Sequence, residues 1–239
     1  MAESLRYNGK VVAATVSRRA DKWYIAIQVE VEGTTKATTS SENQAVGVDF
    51  GISVLAMLSD GTCIEAPKAT GRYAKQLRRL NQELSRRKGA KKGERQSANF
   101  KKTKQKLARL YAKMAELRSD TSHKLTTNLT RDFTLIGIED LDLQSMMEEG
   151  NLSRALADAS LYELRRQLTY KAEANGTRIV VADRYYPSSK RCSSCAVVKH
   201  TLSLSERSYH CDSCGFTSDR DLNAAINLKQ YALAAVGDY

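Results

Sequence analysis

Two Cys-x-x-Cys pairs, Cys192-Ser193-Ser194-Cys195 and Cys211-Asp212-Ser213-Cys214, constrain this chain more than any other feature. The 15 residues between them match the spacing of a zinc ribbon, in which two knuckles supply four thiolates to one tetrahedral ion. Such a site has no open position, so one structural zinc is expected on Cys192, Cys195, Cys211 and Cys214. His210 is then a neighbour of the site and not a ligand. Cys63 stands alone in an apolar stretch and is expected to be a small buried hydrophobe. Met1 to Gly9 is polar, and no apolar run approaches the ~20 residues of a membrane span. The expected location is therefore the cytoplasm, close to the nucleoid, with no membrane partner and no disulfides.

Charge narrows the partner. The chain of 239 residues carries a net charge of +11, which points to a polyanion. Residues 71–118 hold 17 Lys or Arg against three acids, a local net of +14, so the rest of the chain is slightly acidic. In that segment Leu77, Leu80 and Leu84, then Leu107, Leu110, Met114 and Leu117, recur at helical spacing. Gly89 to Gly93 separates two helices of a hairpin. Arg72, Lys75, Arg78, Arg79, Arg86, Arg87 and Lys88 interleave with the first leucine seam. Lys101, Lys102, Lys104, Lys106 and Arg109 lie along the second helix. A solvated charged face is the ordinary explanation for such helices, but so one-sided a balance favours phosphate contact, which gives affinity without sequence choice.

Elsewhere the pattern alternates strand and helix. Lys10–Val16 and Trp23–Val31 are expected strands around a polar turn, Ser17–Lys22, and residues 33–45 are an expected linker. Val46–Phe50, Ser53–Leu58 and Thr62–Glu65 make a meander with a turn at Asp60-Gly61. A further helix is expected over Ser122–Thr130 and a strand over Phe133–Ile138. A long helix over Ser153–Ala174 precedes the strand Arg178–Ala182, and a last helix runs from Asp221 to Ala234. Antiparallel strands followed by strand–helix–strand units predict an α/β fold, a mixed sheet of RNase H-like layout.

Three acids stand out against that frame. Asp49 lies inside the apolar strand Val46-Gly47-Val48-Asp49-Phe50, where an unpaired charge costs several kcal/mol. Gly47 permits close backbone approach beside it. Glu139 ends Leu135-Ile136-Gly137-Ile138, and Asp221 opens the last helix, whose dipole favours a carboxylate. Asp140 and Asp142 compete with Glu139, and Asp219 competes with Asp221. If the strands converge, the three carboxylates form a hard oxygen site for magnesium or manganese. Two such ions ~3.5–4 Å apart support in-line phosphodiester hydrolysis.

Gly47-Val48-Asp49-Phe50-Gly51-Ile52, Glu139-Asp140-Leu141, Pro187-Ser188-Ser189-Lys190-x-Cys192 and Asp219-Arg220-Asp221-Leu222-Asn223-Ala224-Ala225-Ile226-Asn227 together resemble the TnpB family. Its members are transposon-encoded, RNA-guided nucleases related to compact type V CRISPR effectors, and the resemblance extends from about Lys10 to Lys229. It implies a RuvC-like core with Asp49, Glu139 and Asp221 as catalytic magnesium ligands, a guide RNA and a target DNA. It also implies five segments: remnant wedge-barrel strands over 1–32, the linker, a core over 46–186 bearing the basic hairpin 71–118, the ribbon over 187–217 and a closing segment over 218–239. Family members carry a substantial N-terminal portion that this chain is expected to lack. A shortened enzyme is therefore expected, assembling with RNA or with a second polypeptide or copy that replaces the missing lobe. The alternatives are a regulator of transposition that binds nucleic acid without cutting, and a strand-joining transposase. The ribbon placed just before the last aspartate weighs against the latter.

Overall fold

The computed structural model describes residues 8–31, 45–88, 96–148, 153–203 and 205–237. The expected linker, apart from Ala45, and the glycine break at 89–93 lie outside them. Strands β1 (Lys10–Arg19) and β2 (Lys22–Glu30) pair antiparallel about a two-residue turn, tighter than the expected polar loop. The meander follows as β3 (Ala45–Phe50), β4 (Val54–Leu58) and β5 (Cys63–Glu65). Gly61, at φ 90°, takes the left-handed conformation of the β4–β5 turn. Next come α1 (Ala69–Arg87), α2 (Ala98–Asp132), β6 (Leu135–Glu139), α3 (Leu143–Glu148), α4 (Ser153–Ala159), α5 (Leu161–Asn175) and β7 (Arg178–Ala182). The chain closes with β8 (Ser208–His210), β9 (Thr217–Asp219) and α6 (Arg220–Gly237).

Three expectations need correction. The separate helix over Ser122–Thr130 is the continuation of α2, a helix of 35 residues, since no Gly or Pro interrupts 118–121. The long helix over Ser153–Ala174 is broken at Ser160, which sits at φ 53° between α4 and α5. Cys63 is exposed, because β5 is the sheet's edge and it is Ile64 that turns to the core.

The chain divides into two compact units. The first combines residues 1–34 with 69–117, so the basic hairpin groups with β1 and β2. The two leucine seams meet as expected, burying Leu80, Leu107, Leu110 and Met114. Asp21 pairs with Arg109 at 2.8 Å, and the Tyr24 hydroxyl donates to Glu116 at 3.2 Å.

The second unit, residues 35–68 and 118–239, is built on a five-stranded sheet in the order β5-β4-β3-β6-β7. β3, β6 and β7 are parallel, whereas β4 pairs antiparallel with both β3 and β5, giving the mixed RNase H-like sheet. Alternation along the strands assigns its two faces. Val46, Val48, Ile136 and Ile138 pack with Leu125, Leu129, Leu164 and Leu168 of α2 and α5. On the other face Ala45 and Leu135 pack with Ala232 of α6. Between those ends, Gly47 and Gly137 are register partners beneath α6. A Cβ on Gly47 would stand 1.9 Å from the Ala225 carbonyl oxygen, and one on Gly137 would stand 2.3 Å from that of Leu228. Only glycine admits a helix so close.

Candidate metal centre

The crossing that demands those glycines also gathers the acids. In the parallel pair Val48 faces Ile138, so the next residues, Asp49 and Glu139, are side by side on the face covered by α6. Asp49 lies two residues beyond Gly47, a strand step of ~6.6 Å. Asp221 lies one turn before Ala225, a helix step of ~6 Å. With Ala225 over Gly47, the matched steps bring Asp221 to Asp49. All three line one cleft of about 610 Å³ at the C-terminal ends of the parallel strands, the usual ligand position in α/β sheets.

Their neighbours differ in sign. Lys190, Arg207 and Arg220 also line the cleft, while Phe50, Ile52, Met146 and Leu202 form apolar wall. Arg220 Nε donates to Asp221 at 3.1 Å, and Arg207 stands 4.0 Å from its other oxygen. Because both arginines belong to the cleft, these pairs keep Asp221 on the site. Burial pushes the Asp49 carboxyl well above the usual carboxylate range, and the charges of Glu139 and then Asp221 push it further. Burial also raises Glu139; the Ser188 hydroxyl, donating to Oε1, opposes that rise, and Asp221 adds to it. Buried carboxylates crowded by other acids hold protons or call for a cation. An all-oxygen, anionic donor set suits a hard divalent ion such as magnesium or manganese.

The competing acids are committed elsewhere. Asp219 accepts from the N–H groups of Asp221 and Leu222 at 2.9 and 3.1 Å and so caps α6. Asp140 pairs with Arg165 and Arg184, each at 3.1 Å, and Arg165 above all holds its carboxyl below the usual range. Asp142 bonds Arg184 at 3.3 Å and the Ser145 N–H at 3.0 Å.

The cysteines converge as two matching knuckles. Cys192 N–H meets the Val197 carbonyl and Cys211 N–H meets that of Phe216, each at 2.8 Å. Ala196 and Gly215 take left-handed turns at φ 65° and 73°. The four sulfurs lie within 4.8 Å of one another, and two pairs are 3.7 and 3.6 Å apart. Thiolates bound to tetrahedral zinc at ~2.3 Å stand ~3.8 Å apart, so this cluster is compatible with one zinc ion. Backbone N–H groups of Cys214 and Ser213 bring the Cys211 thiol down to about 6. At Cys195 the lowering by the Val197 backbone is outweighed by the neighbouring thiols and burial, which take it to about 12, as crowded thiols sharing protons do. His210 lies outside the cluster; its ring meets the Thr217 hydroxyl at 3.0 Å. Among the described residues the four cysteines are the one group of three or more candidate ligands gathered this closely.

One set of residues escaped the sequence reading. Asn223, Asn227 and Gln230 follow at i, i+4 and i+7 along α6, a polar stripe that could have been noticed. Asn223 Nδ2 donates to the Arg191 carbonyl at 2.7 Å and its Oδ1 accepts from the Ser193 N–H at 3.0 Å. Asn227 Nδ2 reaches the Ser188 and Arg191 carbonyls at 2.8 and 2.6 Å, and Gln230 reaches that of Ser193 at 3.0 Å. These side chains seat the first knuckle on the helix that bears Asp221. On the other unit, Arg72, Lys75, Arg78, Arg79, Arg86, Arg87, Lys101, Lys102 and Lys104 are all exposed. Glu83 stands 4.0 Å from Arg79 and 3.3 Å from Arg87. Among the described residues no ion pair engages Lys75, Arg78, Arg86, Lys101, Lys102 or Lys104.

Residues 26–149 match the OrfB_IS605 family, described as "Probable transposase", and residues 162–228 match the Cas12f1-like TNB domain. A "Putative RNA-guided DNA endonuclease" of Streptomyces pristinaespiralis is 41% identical over 92% of this chain and 53% of its own length. InsQ of Escherichia coli K12, named likewise, is 34% identical over 98% of this chain and 60% of its own. This chain thus spans between half and three fifths of those relatives. In a cryo-EM structure of a Cas12f1–sgRNA–target DNA complex, a protein chain shares the fold at a TM-score of 0.52 and 14% identity, over 90% of this chain and 55% of that one.

Proposed function

The chain belongs to the OrfB_IS605 family, and on that footing we propose that it is a metal-dependent DNA endonuclease directed by a guide RNA. The observation that carries this is the meeting of Asp49, Glu139 and Asp221 in one cleft at the strand ends. Asp49, Glu139 and Asp221 would hold magnesium or manganese, and Cys192, Cys195, Cys211 and Cys214 one zinc. Bound there, the magnesium would activate water and neutralise charge developing on the scissile phosphate.

This chain's own groups divide the remaining work. Lys190, Arg207 and Arg220 would draw the phosphodiester backbone to the acids. Phe50, Ile52 and Met146 would exclude bulk water from one side of the cleft. The exposed cations of α1 and α2 would hold RNA or DNA through phosphates. The relatives' names carry the words RNA-guided DNA endonuclease, which supports guide RNA and target DNA as partners. A second polypeptide, or a second copy, remains part of the proposal, to be read from the mass of the native complex.

The test uses the purified chain with its copurifying RNA and single-stranded DNA, beside Asp49→Ala. Magnesium-dependent cutting and manganese binding, followed by electron paramagnetic resonance, are expected in wild type and lost in the variant. Equal cutting by both would end the nuclease assignment. Binding of RNA without metal binding in wild type would favour the non-cutting regulator.

A further inference from the structure

We infer that Ser188 is a positioning residue for the metal centre, and that it transmits the seating of the cysteine ribbon to Glu139. This rests on the metal site proposed above and adds to it a residue and a route. Ser188 lies in the turn Pro187–Arg191, between the end of β7 and the first knuckle cysteine, and it is only 3% exposed. Backbone bonds wind that turn tightly: Ser188 N–H to the Tyr186 carbonyl at 2.8 Å, Lys190 N–H to that of Pro187 at 3.0 Å and Arg191 N–H also to Pro187 at 2.8 Å. Its hydroxyl donates to Glu139 Oε1, across 49 positions of sequence.

The bond matters because of what stands behind it. Asn227 holds the Ser188 and Arg191 carbonyls, while Asn223 holds Arg191 and Ser193 on either side of Cys192. The turn therefore cannot shift unless the knuckle shifts on α6, and α6 also carries Asp221. Ser189 and Lys190, the next two residues, line the cleft, so the turn presents one side chain to Glu139 and two to the space beyond. Holding Oε1 fixes the carboxyl plane and leaves Oε2 as the oxygen available to a cation. A carboxylate in a repulsive cluster would otherwise swing away from Asp49 and Asp221. Outer partners that orient metal ligands characteristically change affinity by ~10–100-fold when removed.

The experiment compares wild type, Ser188→Ala, Ser188→Thr and Asp49→Ala, each purified with its RNA. Manganese affinity is read by electron paramagnetic resonance, zinc content by a colorimetric thiol-release assay, and the magnesium concentration at half-maximal cutting against the plateau rate. Ser188→Ala is expected to keep one zinc, to bind manganese roughly tenfold more weakly and to need correspondingly more magnesium, with its plateau largely retained. Ser188→Thr, which keeps the hydroxyl, should recover most of the affinity. Wild-type manganese affinity in Ser188→Ala overturns the inference, as does loss of zinc together with metal affinity, which would make Ser188 part of the ribbon's seat alone. Equal weakening in the Ala and Thr variants also overturns it. Failure of the metal site itself looks different: wild type and Asp49→Ala would then bind manganese equally poorly.

Discussion

Asp49 shows what a buried, crowded carboxylate costs the fold. Burial, and then the charges of Glu139 and Asp221, raise its folded pKa above the usual 3.8, so without metal the folded state binds more protons than the unfolded one. Stability of the magnesium-free protein therefore falls as pH rises from the usual carboxylate range through the raised value. Asp49→Asn removes that loss. It should melt about 2–4 °C higher than wild type at pH 8 for each ~1 kcal/mol of relief, and show a much smaller gain at pH 4. Added magnesium should raise the melting temperature of wild type alone; thermal scans in magnesium-free buffer at both pH values check this. Asp49 could be singled out from sequence because a charge inside an apolar strand needs a reason. Asp221 and Asp219 were separated by the family resemblance and not by the pattern of residues, since both stand at the start of the same helix; in the structure Asp219 caps that helix and Asp221 lies in its first turn. Cys63 misled for a related reason: an apolar run does not say which strand ends up at the edge.

Among elements, the crossing of α6 over β3 and β6 decides most. Gly47→Ala puts a methyl group against the Ala225 carbonyl oxygen, a backbone atom that cannot turn aside. Overpacking of this severity should cost about 3 kcal/mol or more. That predicts a fall of roughly 6–12 °C in Tm, with metal affinity lost before the fold as α6 lifts from the sheet. Calorimetry beside a manganese titration measures both, and an unperturbed Gly47→Ala protein would contradict the close crossing. Strands and leucine seams were legible because their periods are 2 and 3.6 and their apolar residues follow them. Helix ends were less so. Ser160 breaks a helix without Gly or Pro, and 118–121 looked like a break because Ser and Thr favour caps. The role of Asn223 and Asn227 was hidden because what they bind is backbone, which leaves no complementary pattern in the sequence.

For the molecule as a whole, the ribbon and the carboxylates belong to one assembly inside the second unit. Removing zinc with a thiol-directed chelator should release residues 187–217 first and raise hydrogen exchange there by orders of magnitude. The first turn of α6 should follow, and manganese affinity should fall although no carboxylate has been altered. The Ala45, Leu135 and Ala232 contact at the far end of the sheet should stay protected. Exchange confined to the knuckles, with manganese binding intact, would separate the two sites. β9 ends at Asp219 and α6 begins at Arg220, with no connecting residue to give slack. The helix is in turn pinned where Gly47 and Gly137 admit it. A strand resting against the ribbon would thus reach the acids with its distance already set, as on a fixed gauge with no hinge in it.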